Sequence, residues 1–147
     1  MPTLWNDAER QALVTRLRQV TPDAQSGWGS LTARGVLAHL HDAARMALGE
    51  LDVASKKLPI RFPPLKQLII YVVPFPKGAP TAPELIARQA DDWTAEMAAT
   101  EQAIDRLVAK GASFRWPNHP AFGSLTHNAW GVLIYRHMDH HLKQFGH

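Results

Sequence analysis

Ser124-Leu-Thr-His-Asn-Ala-Trp-Gly-Val-Leu-Ile-Tyr-Arg-His-Met-Asp-His-His-Leu-Lys-Gln-Phe-Gly146 is the stretch whose reading decides the fold. Read as a helix, it sets His137 and His141 four residues apart, one turn above the other, with Leu133 and Trp130 continuing the same stripe. That stripe is apolar, so it faces a core, and two imidazoles on an inward face need partners. Either each finds a hydrogen bond there, or both point at one metal ion that a third ligand from elsewhere completes. With eight histidines in the chain, chance supplies about 0.4 such pairs, so spacing alone does not establish a metal. His140 adds to the cluster and blurs it, because it forms a competing i,i+3 pair with His137.

Working back from this helix, three more long helical patterns emerge. Asn6 caps a first helix whose stripe is Ala12, Leu13, Leu17 and Val20, ended by Thr21-Pro22. After a loop carrying Trp28 between two glycines, a second helix opens at Ser30 or Thr32 and runs to about Leu48, with Gly49 as its left-handed stop. Residues 51–83 hold most of the prolines around one apolar run, Leu65 to Val73. A lone strand there has no partner elsewhere in the chain, so the run reads as a short helix inside a long crossover. Thr81-Ala-Pro-Glu84 has the form of a capping box and predicts the start of a helical region reaching Lys110-Gly111, with a break near Ala90. An aromatic, proline-bearing loop from Phe114 to Phe122 follows, and Thr126 caps the last helix. The expectation is an all-α fold: a four-helix bundle with a long Pro-rich crossover carrying a short extra helix, in one domain spanning 1–147.

Composition narrows the chemistry. A chain of 147 residues buries about two thirds of its surface and needs no staples. It has no cysteine, which excludes disulfides, thiolate ligands and a cysteine nucleophile, so any metal must sit on nitrogen and oxygen. The N-terminus carries no targeting pattern, and the longest apolar stretch, Leu68 to Phe75, is too short to span a bilayer. A net charge of +3, with only Lys56, Lys57, Arg61 and Lys66 close together, is a solvated basic surface rather than a nucleic-acid footprint. These features predict a cytoplasmic protein that binds neither nucleic acid nor membrane.

Several metal and nucleophile motifs are absent. Met138 follows His137, so there is no His-Glu-x-x-His zinc protease pattern, and no paired Glu-x-x-His helices suggest a di-iron site. There is no glycine-rich phosphate loop and no Gly-x-Ser-x-Gly elbow. The second helix offers His39 or His41 as the third ligand. These two lie about 200° apart around the helix, so they do not both reach one site, and spacing leaves the choice open. Closure of a structural site by a fourth protein ligand would recruit His41, His119 or His147. Tyr135, Asp139 and His140 are candidate assistants, but each sits about 100° or more off the His137/His141 face. Asp139 and His140 are therefore expected at the surface or a dimer interface, Tyr135 in the core or at its rim, and Trp28 and Trp130 in the core. Gln144, one turn beyond His141, is positioned to hold that ring's tautomer.

Trp28-Gly-Ser-Leu-Thr32 leading to Leu37-Ala-His-Leu40, Pro74-Phe-Pro-Lys-Gly78 with Thr81, His119-Pro-Ala-Phe-Gly123, and Trp130 with His137 to Gly146 together resemble the DinB-like superfamily of four-helix metalloproteins. The closer likeness is to an uncharacterised bacterial branch, a domain of unknown function. The resemblance covers nearly the whole chain and is most specific in the last helix. It implies a divalent metal, zinc or nickel, held by one histidine of the second helix and two of the last. By position these are His39, His137 and His141, which selects His39 over His41. The same resemblance implies a homodimer and, from better-understood branches, a transferase using a low-molecular-weight thiol on a small-molecule substrate. Leu142-Lys143 before Gln144, and His140 in place of a bulkier neighbour, depart from the common pattern.

Three neutral imidazoles leave the full charge on a divalent ion, which lowers the pKa of water or thiol beside it. Two reactions follow: attack of an activated small thiol on an electrophile, or hydrolysis of a small substrate. The alternative from another class is a non-catalytic helical module, metal-binding or metal-free, such as a dimeric stress or ligand-binding protein with its histidines hydrogen-bonded in place. An enzyme predicts an open position at the floor of a pocket; a structural site predicts a fourth protein ligand.

Overall fold

The computed structural model describes all 147 residues and is all-helical, with α1 (Asp7–Gln19), α2 (Ala33–Ala47), α3 (Leu65–Tyr71), α4 (Trp93–Lys110) and α5 (His127–Gln144). The four long helices form the bundle, and α3 sits in the crossover between α2 and α4 as the pattern predicts. Side-chain caps start all four long helices. Asn6, Thr32, Asp92 and Thr126 each accept the amide hydrogen bond from three residues on, satisfying a donor that the first turn leaves free. Gly49, at φ 81°, follows α2 and supplies the left-handed conformation that a side chain would strain.

The principal packing is α2 on α4, α1 on α5 and α2 on α5. Leu13 and Leu17 of α1, Leu37 of α2, Ile104 and Leu107 of α4 and Trp130 and Leu142 of α5 are almost fully buried. Helix α2 is the central element, with buried residues around most of its circumference. The N-terminal segment packs tightly on α5: Leu4 donates its amide to the Gly131 carbonyl at 3.1 Å, and the Trp5 indole donates to the His127 carbonyl at 2.8 Å. A Cβ at Gly131 would lie 2.3 Å from the Trp5 indole nitrogen, so only glycine allows this approach.

The crossover folds back over the bundle. Ile70, 1% exposed, anchors α3 in the core. Arg136 of α5 donates to the carbonyls of Ile69, Ile70 and Val73, neutralising the end of α3, and its guanidinium lies 4.7 Å from the Phe75 ring. Lys66 donates to the Ser124 carbonyl at 2.7 Å, and Lys56 donates its amide to the Pro120 carbonyl at 2.7 Å. Phe62, Leu65, Leu68 and Val72 face outward and are exposed. No helix is long and apolar enough to cross a membrane.

One expected boundary is corrected. The Thr81–Glu84 pattern predicts a helix start, yet Pro83–Leu85 forms a single 3-10 turn without a side-chain cap, and α4 begins at Trp93 behind Asp92. The Glu84 carboxylate accepts the Ala54 amide at 2.7 Å instead of closing a capping box. Ala90 then bonds to Arg34 through both its amide and its carbonyl. These long-range bonds hold residues 86–92 as an irregular strap against α2.

Candidate metal centre

The cluster is assembled by α2 and α5. His39 projects from the buried face of α2, and His137 and His141 lie one turn apart on the inward face of α5. The three rings stand nearly perpendicular to one another, with centroids 4.8 to 4.9 Å apart and interplanar angles of 78 to 85°. One ligand atom from each lies within 4.8 Å of the others, and the Nε2 atoms of His39 and His137 are 2.9 Å apart. A tetrahedral ion held by imidazole at about 2.0–2.1 Å separates its ligands by about 3.3 Å, within the range these atoms span.

Two tautomers are fixed from behind. The Nδ1–H of His39 donates to the Leu85 carbonyl at 2.8 Å, an acceptor that cannot donate, so its Nε2 presents a lone pair. The side-chain amide of Gln144 donates to the Trp28 carbonyl at 2.8 Å. That orients the Gln144 oxygen toward His141, which donates from Nδ1 at 2.7 Å and likewise turns a lone pair inward. His137 makes no hydrogen bond other than the one to His39. Burial lowers the proton affinity of all three: His39 falls below its ordinary value, His141 falls to about 4, and His137 falls well below, helped by its neighbouring imidazoles. Three neutral rings thus converge with one N–H among their inward atoms, and His141 Nε2 has no protein donor. A cation fits that donor set.

The other histidines lie elsewhere. The Nδ1 of His41 lies 2.9 Å from Glu96 of α4, within a network in which Arg88 bridges Glu96 and the buried Asp42. Asp42 is 2% exposed and its carboxylate also meets Arg45 at 3.2 Å. The two histidines of α2 therefore diverge as their angular separation predicts, His39 to the cluster and His41 to α4. His119 accepts the amides of Ala121 and Phe122 on Nδ1, at 3.0 and 3.2 Å. His147 is exposed at the chain end, where its carbonyl accepts from Arg16. None of the three closes the cluster as a fourth ligand.

The cluster lines one wall of a cavity of about 940 Å³, roofed by the crossover. Leu40, Met46, Ile60, Ile69, Phe75, Leu85, Ile104 and Leu133 make its lining largely apolar. Two expectations change here, for His140 and Trp28, while Trp130, Asp139 and Tyr135 lie where the helical pattern puts them. His140 lies on the cavity wall between Trp28, at 5.7 Å, and Phe75, at 6.0 Å, because the crossover covers that side of α5. Trp28 lines the cavity with Lys77 4.5 Å above its ring, and the buried Trp130 also contributes to the lining. Asp139 faces away, paired with Arg16 and Lys143, each at 2.8 Å, which hold its carboxyl below the usual range. Tyr135 is partly buried against the core and does not line the cavity. No local pattern announces the Asp42–Arg88–Glu96 network beyond a carboxylate placed three residues from His39.

The arrangement defines a class: a helical-bundle protein with a three-imidazole cluster on the wall of an apolar cavity. The chain belongs to the family described as a protein of unknown function (DUF1569), whose model matches residues 8–147. No curated protein and no solved structure matches it.

Proposed function

We propose that this protein is a divalent-metal-dependent enzyme acting on a small apolar substrate, with His39, His137 and His141 as the metal ligands. The observation that carries this reading is the convergence of three neutral imidazoles, two with fixed tautomers, where the cluster borders a cavity and no fourth protein ligand intervenes. A closed structural site has four protein ligands; a working site keeps a position for water or substrate. A bound zinc or nickel ion would supply Lewis acidity, lowering the pKa of a thiol or water placed beside it.

The chain's own residues supply the rest. Leu85 and Gln144 keep the lone pairs of His39 and His141 aimed inward, the apolar lining excludes bulk water, and Trp28 with Phe75 offers flat surfaces for a hydrophobic substrate. The resemblance to DinB-like proteins favours a transferase using a low-molecular-weight thiol over a hydrolase, and carries with it a homodimer. A large, mostly apolar cavity suits a hydrophobic electrophile, and the cysteine-free chain requires the thiol to come from outside.

The test is a panel of small thiols with apolar electrophiles, run on zinc- or nickel-loaded protein beside His137→Ala. Thiol consumption that needs the metal and is lost in the variant is the expected result. Metal-loaded protein that turns over no thiol but hydrolyses apolar esters or amides would favour the hydrolase. Inactivity in both would leave a non-catalytic metal-binding module.

A further inference from the structure

The loop Trp116-Pro-Asn-His-Pro-Ala-Phe-Gly123 carries a side chain that the metal reading does not use. His119 exchanges two backbone hydrogen bonds with Gly123, at 2.7 and 2.8 Å, which closes the loop on itself. Its ring packs on Trp130 at 5.5 Å and Phe122 at 4.9 Å, so both backbone and ring are held. The amides of Ala121 and Phe122 both donate to Nδ1. A nitrogen that accepts two N–H groups carries no proton, so the neutral ring is protonated on Nε2. That is the opposite tautomer to His39 and His141, which carry their protons on Nδ1.

Nε2 of His119 has no acceptor in the protein, and it is not among the fully buried polar atoms that lack a partner. His119 lines the same cavity as His39, His137 and His141. The cavity wall therefore carries an N–H donor that no protein acceptor meets, amid largely apolar surroundings.

We propose that His119 is a substrate-recognition residue whose Nε2–H binds an acceptor oxygen of the ligand, so that the cavity selects apolar compounds bearing a carbonyl or carboxylate in addition to the group that meets the metal. The inference rests on the three-histidine metal site. It assigns His119 a donor's role, distinct from that of a fourth ligand, and it narrows the substrate class from any hydrophobic electrophile to an oxygen-bearing one. The rigid loop means that the donor is in place before binding, which reduces the ordering cost of recognition.

The experiment uses cobalt(II)-loaded protein and a homologous set of alkanethiols, plain or carrying one ketone at successive chain positions, with binding read from the sulfur-to-cobalt absorption band. In the native chain, at least one ketone position should bind about tenfold tighter than the matching plain thiol, the worth of one well-formed hydrogen bond. His119→Phe should keep its cobalt and lose that preference, and His119→Gln, which retains an acceptor for the loop amides and an N–H donor, should recover part of it. Long-range nitrogen–proton correlation spectra of the native protein should display His119 as the Nε2–H tautomer. Equal binding of ketone and plain thiols, a preference that survives His119→Phe, or an Nδ1–H tautomer would overturn the donor role. Loss of cobalt from both variants would make His119 a ligand instead, which also overturns it. Failure of the native protein to take up cobalt would remove the metal site on which the inference rests, an outcome distinct from the others.

Discussion

His39 and His137, 98 positions apart in the chain, meet with their Nε2 atoms 2.9 Å apart, and the bond that aims His39 comes from a third region, the Leu85 carbonyl. The cluster thus depends on α2, α5 and the Pro83–Leu85 turn holding their relative positions. Its supports can be perturbed without touching a ligand.

Gln144 is the most direct of these supports. Gln144→Leu removes the acceptor behind His141 and frees the Trp28 carbonyl, while keeping a similar volume in a position that is 4% exposed. Metal affinity should fall about 10–100-fold, as expected when a partner behind a ligand is lost. Competition with a chelator of known affinity measures it. Unchanged affinity would mean that the tautomer of His141 needs no help.

Arg88 ties the strap to α2 and α4 together. Its guanidinium meets Asp42 at 2.9 and 3.0 Å and Glu96 at 2.7 Å. Arg88→Met leaves the buried Asp42 with Arg45 alone, at 3.2 Å. The variant should lose about 1–3 kcal/mol in denaturant unfolding, because the buried carboxylate keeps only one long contact to a cation. It should also loosen Leu85 and so weaken metal binding; a stability change below about 0.5 kcal/mol would show the network to be surface decoration.

Protons compete with the metal-free fold in a defined window. Burial depresses the folded-state pKa values of His39 and His137, and takes those of His119 and His141 to about 4, against about 6.5 when unfolded. A depressed folded value means that the unfolded chain binds more protons below pH 6.5. Stability is therefore full above that pH and is lost as pH falls toward 4. Chelator-treated protein should show a urea midpoint that is flat from pH 8 to 7 and falls steeply from 6.5 to 4.5, each such histidine costing at most about 3 kcal/mol. The depressed carboxyls of Glu84, Glu96 and Asp139 act in the same direction but at lower pH, so the window above 4.5 belongs to the histidines. His119→Gln should flatten that slope, and a midpoint constant from pH 7 to 5 would contradict the buried neutral rings.

Much of this architecture is legible in the sequence because its signals are local. Thr126 as a cap, the His137/His141 spacing and Gln144 one turn on all lie within a single helix, where periodicity fixes their faces. The choice of His39 over His41 is not local. Angular separation excludes both from one site, and in the structure Glu96 and Arg88 engage His41 on the other side of α2, leaving His39 to the cluster. The start of α4 is not legible locally for the same kind of reason, since Glu84 has the form of a capping residue and is diverted to the amide of Ala54, 30 positions away. His140 and Trp28 appear in the cavity only once the proline-rich crossover lies over α5, an arrangement set by Arg136 and Ile70 that no pattern within 51–83 announces.

Three neutral imidazoles able to hold one divalent ion should retain it through purification. Elemental analysis of protein purified without a histidine tag or added metal, beside His39→Ala and the His137→Ala/His141→Ala double variant, tests it most directly. The native protein should carry about one zinc or nickel per chain, and both variants should lose it with the helical circular dichroism retained. Native protein without metal, which also fails to take up zinc or nickel on addition, would contradict that expectation and leave a helical bundle whose histidines serve only one another.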